Sequence, residues 1–129
     1  MSEPINARQG RSIAPHDGMS HVAGSTEPAL SDVTIFGLLE AAVAQWPERP
    51  AVVFREQGVR WTWSAFQREC DRFAAGLLAL GLKREDRLGI WSPNRAEWLI
   101  AQFATARIGV ILVNINPAYR LGELEYALN

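Results

Sequence analysis

Leu88-Gly89-Ile90-Trp91, the turn Ser92-Pro93-Asn94, an apolar helical stretch and then Val110-Ile111-Leu112-Val113-Asn114 read in order as strand, crossover helix and strand. Val110 to Val113 is apolar at every position instead of alternating, which is the pattern of a parallel strand covered on both faces by helices. The expected core of the fold is therefore one buried parallel βαβ unit. Asn94 is placed to cap the crossover helix. Trp98, Leu99, Ile100, Phe103, Ala104 and Ile108 wrap most of its circumference, so that helix is expected to be buried.

Outward from this unit the pattern extends in both directions. Thr62 is placed to cap a long helix over about Trp63–Leu80, where Phe66, Cys70, Phe73, Leu77 and Leu80 recur at helical spacing on one side and charges occupy the other. Gly81 stands where a left-handed C-terminal cap belongs, and Lys83-Arg84-Glu85-Asp86 turns into the first parallel strand. Before that, 51–54 and 59–61 flank Glu56-Gln57-Gly58, a hairpin signal. Thr34 caps a helix through Trp46, which Pro47 ends. Beyond the second strand, Asn116-Pro117 breaks the chain and 121–128 starts another helix with no strand after it. Residues 1–33 carry few large apolar groups and no period, so they are expected to be a flexible arm.

Composition narrows the function classes. Forty-eight per cent hydrophobic and 21% charged residues suit a globular chain with a core. A formal net charge of −1 provides no field for a phosphate backbone, and nucleic acid is not an expected partner. The single cysteine, Cys70, excludes an internal disulfide. No apolar run is long enough for a membrane span, and the first 33 residues hold four acids against two arginines, unlike a transit peptide. The expected location is the cytoplasm.

Ligands of open parallel sheets gather outside the carboxyl ends of the strands, here Ser92-Pro93-Asn94 and Asn114-Ile115-Asn116-Pro117. Asn94 at a helix start, with Arg95 beside it, could offer backbone N–H groups to an anion. The favoured alternative is a plain helix cap and a plain turn. Other candidates are weaker. Cys70 lies in an apolar helical seam with no histidine in 34–129 to activate it, which describes a packed, inert thiol. His16 and His21 match no common zinc spacing. Glu69 with Asp71, and Glu123 with Glu125, project to different helix faces and form no acid/base pair. Gly24-Ser25-Thr26 lacks the strand, helix and lysine of a phosphate loop. Trp46, Trp61, Trp63, Trp91 and Trp98 read as packing residues, with Trp61 and Trp63 near the hairpin as a possible surface for a further domain.

From about Thr34 to Asn129 the chain resembles the amino-terminal portion of the adenylate-forming acyl-CoA synthetases, the AMP-dependent ligases. The resemblance runs through 47–54, Trp61-Thr62-Trp63-Ser64, 74–82, 86–94, Glu97-Trp98 and 113–120 followed by Glu123-Leu124. Each piece is weak alone; their order and spacing are specific. Gly89 to Asn94 and Asn116 to Tyr126 are most similar to the branch acting on medium-chain fatty acids. The resemblance implies the start of the large domain of an α/β ligase fold, truncated at Asn129, whose parent activates a carboxylic acid as acyl-AMP and transfers it to coenzyme A. It also implies ATP, Mg²⁺ and coenzyme A for the full-length enzyme, with none expected to bind this piece tightly. Its main partner would be the missing remainder of its own chain.

In that family the triphosphate loop, adenine and ribose contacts, hinge and catalytic lysine all lie beyond the segment matched, so no catalytic, cofactor-binding or metal residue is assigned. Lys83 matches no catalytic position. Glu85 stands where the family often has glycine, which puts the shape of that turn in question. The piece alone is expected to be inactive and poorly soluble, because two parallel strands without neighbours leave open edges and an apolar face. A non-catalytic acyl- or nucleotide-binding or interaction module is the alternative. A dinucleotide-binding domain is not expected, because Gly-x-Gly-x-x-Gly follows neither strand.

Overall fold

Two threonines set where the first long helices begin. Thr34 Oγ1 accepts the Gly37 N–H at 3.0 Å to start α1 (Ile35–Gln45), and Thr62 Oγ1 accepts the Ala65 N–H at 3.2 Å to start α2 (Trp63–Ala79). Each bond satisfies one of the unpaired first-turn donors and contributes about 1 kcal/mol. These elements come from a computed structural model that describes residues 18–19 and 29–129. The chain divides into two units, 1–32 and 33–129, and the fold lies in the second. Most of the expected arm, with His16, His21 and Gly24-Ser25-Thr26, falls outside the described residues.

Between the two helices, β1 (Pro50–Phe54) and β2 (Val59–Thr62) pair antiparallel, with a register irregularity between Pro50 and Val52. Gly58, at φ 64°, takes the left-handed turn position that costs glycine least. After α2, Gly81 is left-handed as expected, and the Leu82 N–H returns to the Leu77 carbonyl at 3.1 Å. Then β3 (Arg87–Trp91), α3 (Ala96–Ile108) and β4 (Ile111–Ile115) form the parallel βαβ unit, with Leu88 opposite Leu112 and Trp91 opposite Ile115. A last helix, α4 (Leu121–Leu128), contributes no buried residue.

The core sits where α1, α2 and α3 meet and where the hairpin lies on α2. Phe36, Leu39, Val52, Phe66, Cys70, Ala74, Ile100 and Ala104 form it. Phe66 is its centre, stacked at 6.3 Å on Trp61 and edge-on at 5.2 Å to Phe103, so aromatic pairing joins the hairpin, α2 and α3. Thr105, buried on α3, turns its hydroxyl back to the Ala101 carbonyl at 2.7 Å and needs no partner from another element.

Two expectations change. The strand expected to be covered on both faces is covered on one. Leu88, Ile90 and Leu112 are half-buried, whereas Ile111, Val113 and Trp91 on the other face are 50%, 36% and 50% exposed, and only Ile115 at the end of β4 is buried on that face. Only α3 among the helices makes extensive contact with β4, so one face has a helix and the other has none among the described residues. The crossover helix is accordingly buried on one side, through Ala96, Ile100, Ala101, Ala104 and Thr105, while Trp98, Leu99, Phe103 and Ile108 are half-buried.

Candidate functional site

The two strand-end loops do come together. Trp91, the last residue of β3, donates its indole N–H to the Asn116 carbonyl at 3.1 Å, tying the loop after β3 to the loop after β4. The same carbonyl accepts the Tyr119 N–H, and Asn116 Oδ1 accepts the Ala118 N–H at 3.0 Å, so Asn116 builds the turn that its pairing with Pro117 suggests. Ser92 Oγ donates to the Pro93 carbonyl. Asn114 lies within β4, opposite Ile90, and is not a loop residue.

Asn94 is not the helix cap. The extended residue before α3 is Arg95, which makes no side-chain cap bond. The cap comes from the hairpin instead: Gln57 Oε1 accepts the Ala96 N–H at 2.8 Å, and Gln57 Nε2 donates to Glu97 Oε2 at 2.9 Å. Arg95 Nε lies 3.3 Å from the same carboxylate oxygen. The bond from Gln57, then its own backbone and Arg95, holds the Glu97 carboxyl below its usual range. This arrangement speaks against an anion site at the start of α3, since one first-turn donor is used by Gln57 and a carboxylate stands in that turn.

An open polar cleft of about 480 Å³ runs between the hairpin turn and this loop, lined by Val53 to Gln57, Asn94 and Arg95. A second, more apolar groove of about 600 Å³ follows α2 past Phe73, Leu77 and Leu80 to Ile100 and includes no strand-end residue. Neither holds a nucleophile beside a base. Cys70 is fully buried, and burial, followed by the charges of Asp71 and Glu69, pushes its thiol up to about 12, the opposite of an activated cysteine. Glu69 pairs with Arg72 within α2, Asp71 on α2 with Arg107 on α3, and Glu123 accepts the Arg120 N–H, so these acids serve as ion-pair and cap partners. Lys83 gives its backbone N–H to Asp86 Oδ2 in the turn before β3. Trp61 packs on Phe66, and Trp46 is part-exposed after α1. Among the described residues no group of three or more His, Cys, Asp and Glu could hold a metal ion.

Gln57 escaped sequence reading because its partners lie 39 and 40 residues away and a hairpin turn bears no mark of what it will touch.

The fold with its parallel βαβ unit agrees with what similarity shows. Residues 39–129 match the family described as "AMP-binding enzyme". A medium-chain acyl-CoA ligase named ACSF2, mitochondrial, from Danio rerio is 50% identical over 109 residues, covering 84% of this chain and 18% of that protein. Its Homo sapiens namesake is 45% identical over 114 residues, covering 88% of this chain and 18% of the relative. A Mycobacterium tuberculosis fatty acyl CoA synthetase of known structure superposes with a TM-score of 0.71 at 27% identity, over 74% of this chain and 19% of that one. The chain thus spans under one fifth of the length of these proteins, and it belongs to the AMP-binding enzyme family.

Proposed function

We propose that this chain forms the opening part of the large domain of an AMP-forming acyl-CoA ligase that acts on a carboxylic acid of the fatty-acid class. The observation that carries the reading is the 50% identity with a medium-chain acyl-CoA ligase across 84% of the chain, on a fold that includes the parallel βαβ unit. In the proposed reaction a carboxylate oxygen attacks the α-phosphorus of ATP, and the bond to pyrophosphate breaks to leave acyl-AMP. The sulfur of coenzyme A then attacks the acyl carbonyl carbon, its proton leaves, and the carbon–oxygen bond to AMP breaks. Mg²⁺ would offset phosphate charge in such a reaction. Among the described residues no group of three or more His, Cys, Asp and Glu could hold a metal ion; the role we assign to this segment is scaffold, which builds one strand-end edge and the helices behind it.

The experiment is to read the coding DNA past the codon for Asn129. A frame that stays open into a strand and a Ser/Thr/Gly-rich loop ending in Pro-Lys-Gly supports the ligase. The protein from that longer frame should then release pyrophosphate only with ATP and a fatty acid together, while the 129-residue chain should release none. Pyrophosphate release by the 129-residue chain would overturn the scaffold role. The cytoplasm is the compartment we assign, on the four acids against two arginines in residues 1–33; uptake of a fluorescent fusion into mitochondria would contradict it.

A further inference from the structure

We propose that Gln57 is a two-ended latch that fastens the β1–β2 turn to the first turn of α3 and so sets the shape of residues 92–95 at the carboxyl end of β3. The inference rests on geometry and does not depend on the ligase reading. Gln57 is half-buried, and its amide is used at both ends: the carbonyl oxygen accepts from Ala96, the amino group donates to Glu97. Reversing the amide would set carbonyl against carboxylate and N–H against N–H, so chemistry fixes its orientation. Arg95 makes no side-chain cap bond to α3, and Ala96 is 1% exposed, which leaves its N–H dependent on a protein partner. That partner is supplied from 39 residues away.

The consequence is that residues 92–95 are held from both directions. Trp91 anchors their start through Asn116, and Gln57 anchors their end through Ala96 and Glu97. Whatever meets this edge meets a loop whose position the hairpin controls. Glutamine suits this position in length and chemistry: asparagine is one methylene shorter, and glutamate lacks the donor that faces Glu97.

Hydrogen–deuterium exchange of the 129-residue chain, read by mass spectrometry on peptides covering 92–97, tests the latch. Gln57→Met keeps the length and loses both hydrogen bonds, and should raise exchange there tenfold or more while peptides from α2 keep their rates. The exchange of roles in Q57E/E97Q, where the new carboxylate accepts from both Ala96 and the new amide, should restore rates to within about twofold of the original. Unchanged exchange in Gln57→Met would overturn the proposal. So would a double variant as fast as Gln57→Met, or acceleration that spreads equally to α2, which would mean general loosening instead of a latch.

Discussion

The Arg107 guanidinium, from the last turn of α3, lies 4.3 Å over the ring of Phe36 on α1 and thereby closes the helix layer from the side opposite the hairpin's cap on α3's first turn. The same group lies 3.1 Å from Asp71 Oδ1 on α2 and 3.9 Å from Glu40 on α1. Asp71 Oδ1 is enclosed without an aligned hydrogen-bond donor, so Arg107 is what meets its charge.

Removing Arg107 should therefore cost more than an ordinary surface pair. Arg107→Ala is expected to destabilise by about 1 to 2 kcal/mol, combining a partly exposed ion pair, a cation–π contact and the packing of the aliphatic stem. Arg107→Lys should retain part of the charge contribution and lose the planar stacking, giving an intermediate loss. Urea unfolding followed by tryptophan fluorescence checks the order; a neutral Arg107→Ala would show that the contact carries no stability.

Glu85 has the only left-handed backbone among described non-glycine residues, at φ 71°. The family resemblance raises this position because glycine is frequent there, and the structure shows the reason: the Glu85 N–H must reach the Gly109 carbonyl at 2.8 Å as the chain turns into β3. The Glu85 carboxylate has only an exposed partner, Arg84 at 3.9 Å, so little is lost with the side chain. Glu85→Gly is expected to stabilise by about 0.5 to 1 kcal/mol after allowing for the extra freedom of the unfolded chain. A lower unfolding midpoint for that variant would contradict the assignment of strain.

Local signals made most of the fold legible. Thr34 and Thr62 mark helix starts because their hydroxyls bond three residues on, and Gly58 and Gly81 mark turns because only the backbone is involved. The parallel pairing of β3 and β4 follows from a helix-length connection between two apolar runs. What stayed hidden depends on partners. Asn94 carries the right side chain for a cap, yet the extended residue is Arg95 and the cap is Gln57, a choice made by tertiary contact. The apolar run at 110–113 reports what could cover the strand; it does not report that Ile111 and Val113 are uncovered here.

Cys70 provides a pH test with a defined sign. Its thiol rises from an ordinary 9.0 to about 12 in the fold, chiefly through burial. The native state therefore favours the protonated form. The associated stability is present in full below about pH 9, where the unfolded thiol is also protonated, and is lost progressively as pH rises toward about 12. A thiol-specific reagent at pH 8 should label native Cys70 at least a hundredfold more slowly than the urea-unfolded chain. Equal labelling rates would place Cys70 at the surface.

The uncovered sheet face sets how the chain behaves in solution. β3 and β4 form a two-stranded sheet, so each has one unpaired edge among the described residues, and Trp91, Ile111 and Val113 expose apolar surface beside those edges. An open edge next to an apolar face invites pairing with another chain. Sedimentation velocity at tens of micromolar is expected to show species larger than the monomer. Ile111→Lys combined with Val113→Lys should shift the distribution toward monomer, because charges on that face oppose stacking while the half-buried Leu112 side keeps its contact with α3. A monomeric chain before substitution would show that the edges are blocked in solution. Self-association that survives both lysines would move the contact to the apolar groove along α2, where Phe73 and Leu80 are exposed.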